Sequence, residues 1–309
     1  MASVRAHLAS FLVKHRIRGK LARITDVKDI RKVFGQTHPP LPKEVSFHGA
    51  TLGGINGEWA ERSTPAKTTM MYIHGGGFVA CSPQTHRPIT AAFATRGFRV
   101  FAPAYRLAPE HPFPAAVDDV IAAWRALRQK VEGPIVVAGD SAGGNLALAL
   151  LISLRDRSED LPAAAALFSP ATDFVGTGNS HQENSRRDAM FRPEILEQFR
   201  VAYLGNADPK NPLVSPLYAD LRGLPPLFIE VGQREVLRDD AVRLAERARS
   251  VGVHAELKVW PVVPHVWQMA DAFIPEARRS LDAAANFLHG RASTAAGAVR
   301  PERVKEMSQ

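Results

Sequence analysis

The segment VVAGDSAGGNLALAL carries Gly139-Asp140-Ser141-Ala142-Gly143, a G-x-S-x-G pattern between a β-rich run and a helical one. A serine on such a sharp strand-to-helix turn has its hydroxyl pushed out above the sheet, and the flanking glycines remove Cβ atoms that would collide with neighbouring backbone. The same residues lack the G-x-G-x-x-G spacing of a dinucleotide site and the lysine of a phosphate-binding loop. Nucleophilic attack by Ser141 on an acyl carbon requires donors for the oxyanion that forms. A second stretch, MYIHGGGFVA (Met71 to Ala80), supplies consecutive glycines directly after an apolar strand. Successive glycines let neighbouring N–H groups point into one pocket. Gly75 and Gly76 are therefore expected to give two donors, and Ala142, just after the nucleophile, a third.

A serine hydroxyl needs a base, and where a strand-to-helix turn carries the nucleophile the order along the chain is serine, acid, histidine. His254 opens a strand and His289 closes the last helical segment. His265, in PVVPHVWQM, falls in the loop after the last strand, at the sheet edge where Ser141 also sits. For the acid, PPLFIEVGQREVLRDD offers Glu230, Glu235, Asp239 and Asp240 close to the end of one strand. Glu230 lies within a strand, Asp239 and Asp240 have a helix-start explanation, and Glu235 stands in a loop.

The elements that must hold these groups follow a regular alternation. From residue 68 onward the strands MMYI, RVFAPAY, PIVVAGD, AAALFSP, PPLFIEVG and AELKVWP are separated by amphipathic segments around Val117, after Ser141 and after Asp239. This is the pattern of βαβ units and a mostly parallel sheet. KEVSFHG and INGEWAERS suit an antiparallel start to it. Residues 1–40 read as two or three helices, and residues 177–214 as a helical insert, so the two together are expected to form a cap. Val4, Leu8, Phe11 and Leu12 lie at helical spacing and are expected to pack inward, with Phe11, Leu12, Phe191 and Phe199 narrowing the pocket. The expected organisation is a cap segment over 1–45, a catalytic domain over 46–290 and a loose tail over 291–309.

Three motifs carry a family resemblance: HGGGF (His74 to Phe78), YRLAPEHPFPAA (Tyr105 to Ala116) and GDSAGGNLA (Gly139 to Ala147). Over about residues 45–290 the chain resembles the bacterial hormone-sensitive-lipase-like carboxylesterases, an α/β-hydrolase family. The resemblance implies an α/β-hydrolase fold with a helical cap, a cofactor-free Ser-His-acid triad of Ser141, His265 and Glu235, and a homodimer through the last strand. It also implies that His74 supports the oxyanion loop. Many members have Asp-Pro-Leu where this chain has Glu235-Val236-Leu237, so the family's acid maps onto a glutamate, with Asp239 in reserve. The implied substrate is a small carboxylic ester of short to medium acyl chain. Amide hydrolysis or deacetylation uses the same triad, and a ligand-binding protein on this fold is the more distant alternative.

Composition narrows the rest. The chain has 309 residues, 45% hydrophobic and 23% charged, which is ordinary globular material. No apolar run approaches the length a bilayer requires, and HLASFLV, flanked by basic residues, lacks the cleavage site of a secretory signal. Cys81 is the single cysteine, so no internal disulfide and no cysteine-based metal site is expected. The formal charge of +8 is concentrated in residues 1–45, which hold ten Lys or Arg against three acids. No nucleic-acid-binding signature accompanies that charge, and a solvated helical face accounts for it. A cytoplasmic protein without stable membrane insertion, at most touching a membrane surface peripherally, is the resulting expectation.

Overall fold

The computed structural model describes residues 2–24, 26–34, 40–66 and 68–306. Eight strands form one sheet: β1 (Val45–Leu52), β2 (Ile55–Arg62), β3 (Thr68–Ile73), β4 (Phe98–Pro103), β5 (Ile135–Asp140), β6 (Ala165–Phe168), β7 (Leu227–Gly232) and β8 (Ala255–Trp260), in the order β1-β2-β4-β3-β5-β6-β7-β8. The β1–β2 and β2–β4 pairs are antiparallel and the other five are parallel. All six residues of β5 are buried, as a central strand covered on both faces requires. The chain steps from β3 outward to β4 and then back across β3 to β5. That reversal opens a crevice at the carboxyl ends of β3 and β5, and His74–Gly77 and Ser141 follow those two ends.

Helices cover both faces. In chain order they are α1 (Val4–Val13), α2 (Gly19–Leu21), α3 (Ile30–Phe34), α4 (Arg87–Thr95), α5 (Ala115–Lys130), α6 (Ala142–Asp156), α7 (Ser180–Glu183), α8 (Pro193–Leu204), α9 (Arg238–Ser250) and α10 (Pro275–Glu306). Val120 and Trp124 of α5, Leu146 and Leu150 of α6 and Leu244 of α9 share one core with Val137 and Ile229 of the sheet. On the opposite face Ile89 and Phe93 of α4 pack with Leu281 and Leu288 of α10. The sequence reading did not mark α4, a nine-residue helix that gives its apolar face little length over which to recur. Nor is 291–306 a loose tail. Ala-rich RASTAAGAV continues α10 to Glu306, alanine being the best helix former, and residues 307–309 lie outside the described residues.

The two segments expected to form a cap pack against each other. Residues Lys14–Arg18 form a π-helical turn joining α1 to α2, and α3 follows. Leu21 and Ile30 pack against Phe191, Ile195 and Phe199 of the 177–214 insert. Arg18, 7% exposed, ties the two parts by donating to the carbonyl oxygens of Asp188 (2.9 Å), Arg186 (3.3 Å) and Ser185. Arg18→Met keeps the stem but leaves these carbonyls without their charged donor. We expect it to cost about 3 kcal/mol and to raise protease sensitivity in the cap before the core, measured by limited proteolysis beside thermal unfolding.

The rotation of α1 differs from expectation. Val4, Leu8, Phe11 and Leu12 are 84%, 55%, 57% and 38% exposed, so Phe11 and Leu12 do not narrow the pocket. Ala6 is the buried residue, and Ala2 and Ala9 join it against Trp260, Trp267, Ile274 and Ala277. Small alanines let the helix approach that surface closely, which the bulky stripe does not allow. Ser3 fixes the orientation, its N–H and hydroxyl donating to Glu276 at 2.7 and 2.8 Å. No helix among the described residues is long and apolar enough to cross a membrane.

Candidate active site

Ser141 sits between β5 and α6 at φ +52°, ψ −118°, a conformation a side-chain-bearing residue holds only when its surroundings enforce it. The enforcement comes from tight backbone approach. A Cβ on Gly139 would lie 2.5 Å from the Gly143 carbonyl oxygen, and one on Gly143 would lie 2.0 Å from that of Ile73. Only glycine fits at either position. The Ser141 N–H donates to the Phe168 carbonyl at 2.8 Å, anchoring the turn on β6.

His265 follows β8, and Val266 after it is left-handed at φ +51°. The Nδ1–H of His265 donates to Glu235 Oε2 at 2.6 Å, in a site where both side chains are buried. The other carboxylate oxygen of Glu235 accepts from the Ser169 hydroxyl (2.8 Å) and the Gly232 N–H (2.6 Å), which leaves the glutamate little rotational freedom. Burial by itself lowers the proton affinity of His265, but the adjacent Glu235 carboxylate outweighs it and the net direction is upward. The His265 Nε2 is buried and has no hydrogen-bond partner among the described residues. It lines the same cavity as Ser141. Phe191 from the cap insert packs edge-on against the imidazole, ring centroids 4.8 Å apart.

The other candidates have different partners. Asp239 accepts from the Ser180 N–H (2.9 Å) and Arg238 Nε (2.9 Å) at the start of α9, and makes none of the hydrogen bonds of His265. Asp240 accepts from the N–H groups of Thr172 and Asp173, and Glu230 from Trp260 Nε1 at 3.0 Å. His289 bridges Thr68 and the Arg96 carbonyl.

The oxyanion loop requires one correction. The Gly75 N–H is directed at Asp140 Oδ1, 3.1 Å away, and so is spent on holding the loop. Tyr72 donates to the same oxygen at 2.6 Å, and His86 approaches the carboxylate at 3.3 Å. Gly76 and Gly77 instead border the cavity with Ser141, and no acceptor among the described residues takes their N–H groups or that of Ala142. The N–H groups left without an acceptor at the cavity are thus those of the second and third glycines of the motif, not the first and second. The available signal was Asp140, whose carboxylate beside the nucleophile needs a donor of its own. His74 lies beneath, stacked on Tyr105 at 4.3 Å between ring centroids and lowered by burial to a pKa of about 3, so it is neutral.

Two cavities meet at Ser141. One, about 510 Å³, lies under the cap insert and is bordered by Phe78, Ala142, Phe174, Leu196 and Phe199. The other, about 280 Å³, is bordered by His265, Trp267 and the underside of the N-terminal segment at Ala9, Val13 and Ile17. A cluster of three or more His, Cys, Asp or Glu suited to a metal does not occur among the described residues. The arrangement can bring a nucleophile, a base and converging N–H donors to one acyl carbon.

Residues 70–269 match the family model described as alpha/beta hydrolase fold. The chain is 41% identical over 261 residues to an acetyl-hydrolase of Streptomyces hygroscopicus, covering 84% of this chain and 86% of that one. Among solved structures it is similar to an esterase from the bacterial hormone-sensitive lipase family, with 37% identity, a TM-score of 0.87, and 94% and 99% of the two chains covered. It is also similar to EstE5, a crystal of which was soaked with p-nitrophenyl butyrate, with 32% identity, a TM-score of 0.90 and coverage of 94% and 100%.

Proposed function

The chain belongs to the α/β-hydrolase family that includes the bacterial hormone-sensitive-lipase-like esterases, and from that premise we propose that it is a serine carboxylesterase cleaving esters of short to medium acyl chain. One observation carries the reading: a buried imidazole whose Nδ1 is held by Glu235 at 2.6 Å while its Nε2 is left unpartnered at the cavity of Ser141.

In the proposed mechanism Ser141 Oγ attacks the ester carbonyl as His265 Nε2 takes its proton. Glu235 keeps the proton of the neutral imidazole on Nδ1 and stabilises the imidazolium. The N–H groups of Gly76, Gly77 and Ala142 receive the oxyanion. Collapse expels the alcohol, protonated by His265, and water, deprotonated by the same imidazole, releases the acid. The alcohol must leave beside the group that protonates it. The cavity bordered by His265 is therefore its side, and the larger cavity under Phe199 holds the acyl chain.

The acetyl-hydrolase name of one relative and the butyrate ester soaked into another fit a short acyl group. The first name also fits deacetylation, so amides belong in the test. We expect kcat/KM on p-nitrophenyl esters to be highest from butyrate to octanoate and to fall about tenfold or more by palmitate, with anilides of the same acids hydrolysed far more slowly. Faster turnover of emulsified long-chain lipid than of soluble butyrate would overturn the chain-length reading, and faster turnover of the anilides would overturn the ester reading. A homodimer pairing the free edge of β8 is part of the same proposal, since that strand is hydrogen-bonded on one side only within the chain.

A further inference from the structure

The face of α1 that packs on the domain is made of alanines, and the face turned to solvent carries Val4, Leu8, Phe11 and Leu12. Four exposed large apolar residues on one helix face need a covering partner. Phe273, one residue from the Ile274 on which α1 packs, is 58% exposed as well. The charge around this stripe says which partner. Residues 1–24 hold six Lys or Arg and no Asp or Glu. At helical spacing Arg5 falls along one border of the stripe and Lys14 along the other, and Arg16 follows in the π-helical turn, all three exposed. Lys14 donates to the Arg186 carbonyl, which brings the exposed Arg186 and Arg187 of the cap insert to the same side.

We propose that this face of the cap is a docking surface for an anionic phospholipid bilayer. Apolar side chains bordered on both flanks by cations are what an interfacial helix presents, the stripe entering the headgroup–acyl boundary while the cations meet lipid phosphates. A protein partner would meet the same stripe, but a helix and neighbouring loop without one carboxylate in residues 1–24 fit a uniformly negative surface better than a mixed one. Docking here has a structural consequence. The opposite side of the same segment, at Ala9, Val13 and Ile17, borders the cavity of Ser141 and His265, so one helix would separate the lipid from the site.

The test is co-sedimentation of the full chain with vesicles of phosphatidylcholine alone and of phosphatidylcholine with one-quarter phosphatidylglycerol. Turnover of a soluble short ester is measured in parallel. We expect at least about tenfold stronger binding to the anionic vesicles, lost in about 0.5 M salt, where screening is strong. Leu8→Gln with Phe11→Gln, and separately Arg5→Glu with Arg16→Glu, should each lower vesicle binding about tenfold while soluble turnover stays within about twofold. Ser141→Ala should bind as the parent does, which separates this inference from the hydrolase reading. Equal affinity for the two vesicle types, or no binding to either, overturns the proposal. A dimer dispersed by Leu8→Gln with Phe11→Gln, without vesicle binding, would assign the face to a second copy and overturn it too.

Discussion

Ser141→Ala is expected to lower kcat for ester hydrolysis by roughly a million-fold, to the residual rate that bound substrate and oxyanion donors sustain without a nucleophile. The hydroxyl makes no contribution to the hydrophobic core, and alanine meets the same φ of +52° that serine already tolerates. The substitution should therefore leave the thermal midpoint within about 2 °C of the parent while abolishing stoichiometric labelling by an organophosphate. Turnover and labelling retained in a clean preparation would remove Ser141 from the mechanism. Loss of both with loss of the folded state would show that the turn, not the hydroxyl, had been tested, and Ser141→Gly then serves as the second variant, since glycine accepts positive φ without strain.

Glu235→Gln should lower kcat about ten-thousand-fold. The carboxylate now accepts the His265 Nδ1–H at 2.6 Å. An amide in its place offers an N–H₂ toward Nδ1, favouring the tautomer with the proton on Nε2, where it blocks removal of the serine proton. The charge is lost as well. The base is active when neutral, so kcat/KM falls as pH drops through the pKa of His265, a group raised on balance by Glu235 against the lowering effect of burial. Removing the carboxylate lowers that pKa, so the acid limb should move to lower pH as the plateau drops. A merely structural glutamate would give a lower plateau without the shift. Asp239→Asn, whose partners are Ser180 and Arg238, should stay within about threefold of the parent. Reversed effects would make Asp239 the acid.

Much of the site was legible because the residues concerned constrain backbone. Gly139 and Gly143 admit no Cβ, and a strand ending in that pattern leaves Ser141 one place to be. His265 was legible from chain order and from the edge at which β8 ends. The choice between Gly75 and Gly77 was not, because it turns on which N–H is consumed by Asp140, a contact between residues 65 positions apart in sequence. The rotation of α1 was misread for a different reason. Both faces of the helix are apolar, and larger side chains look like the buried set. The surface of Trp260 and Trp267 that α1 meets selects alanine instead, and that surface is contributed by β8 and the segment after it, at the far end of the chain from α1. The helix α4 escaped notice because nine residues give an apolar face little length over which to recur.

The two cavities that meet at Ser141 bear on what accepts the acyl group. In the mechanism proposed above, the departure of the first alcohol empties its chamber while the acyl chain remains in the other, so whatever enters next from the His265 side would be the acceptor. That chamber is bordered by Ala9, Val13, Ile17 and Trp267, walls that offer water few partners and welcome a hydrocarbon tail. A second alcohol thus competes with water on better terms than bulk concentrations alone would set. Under the proposed mechanism the acyl-enzyme is therefore expected to exchange one ester for another beside hydrolysis.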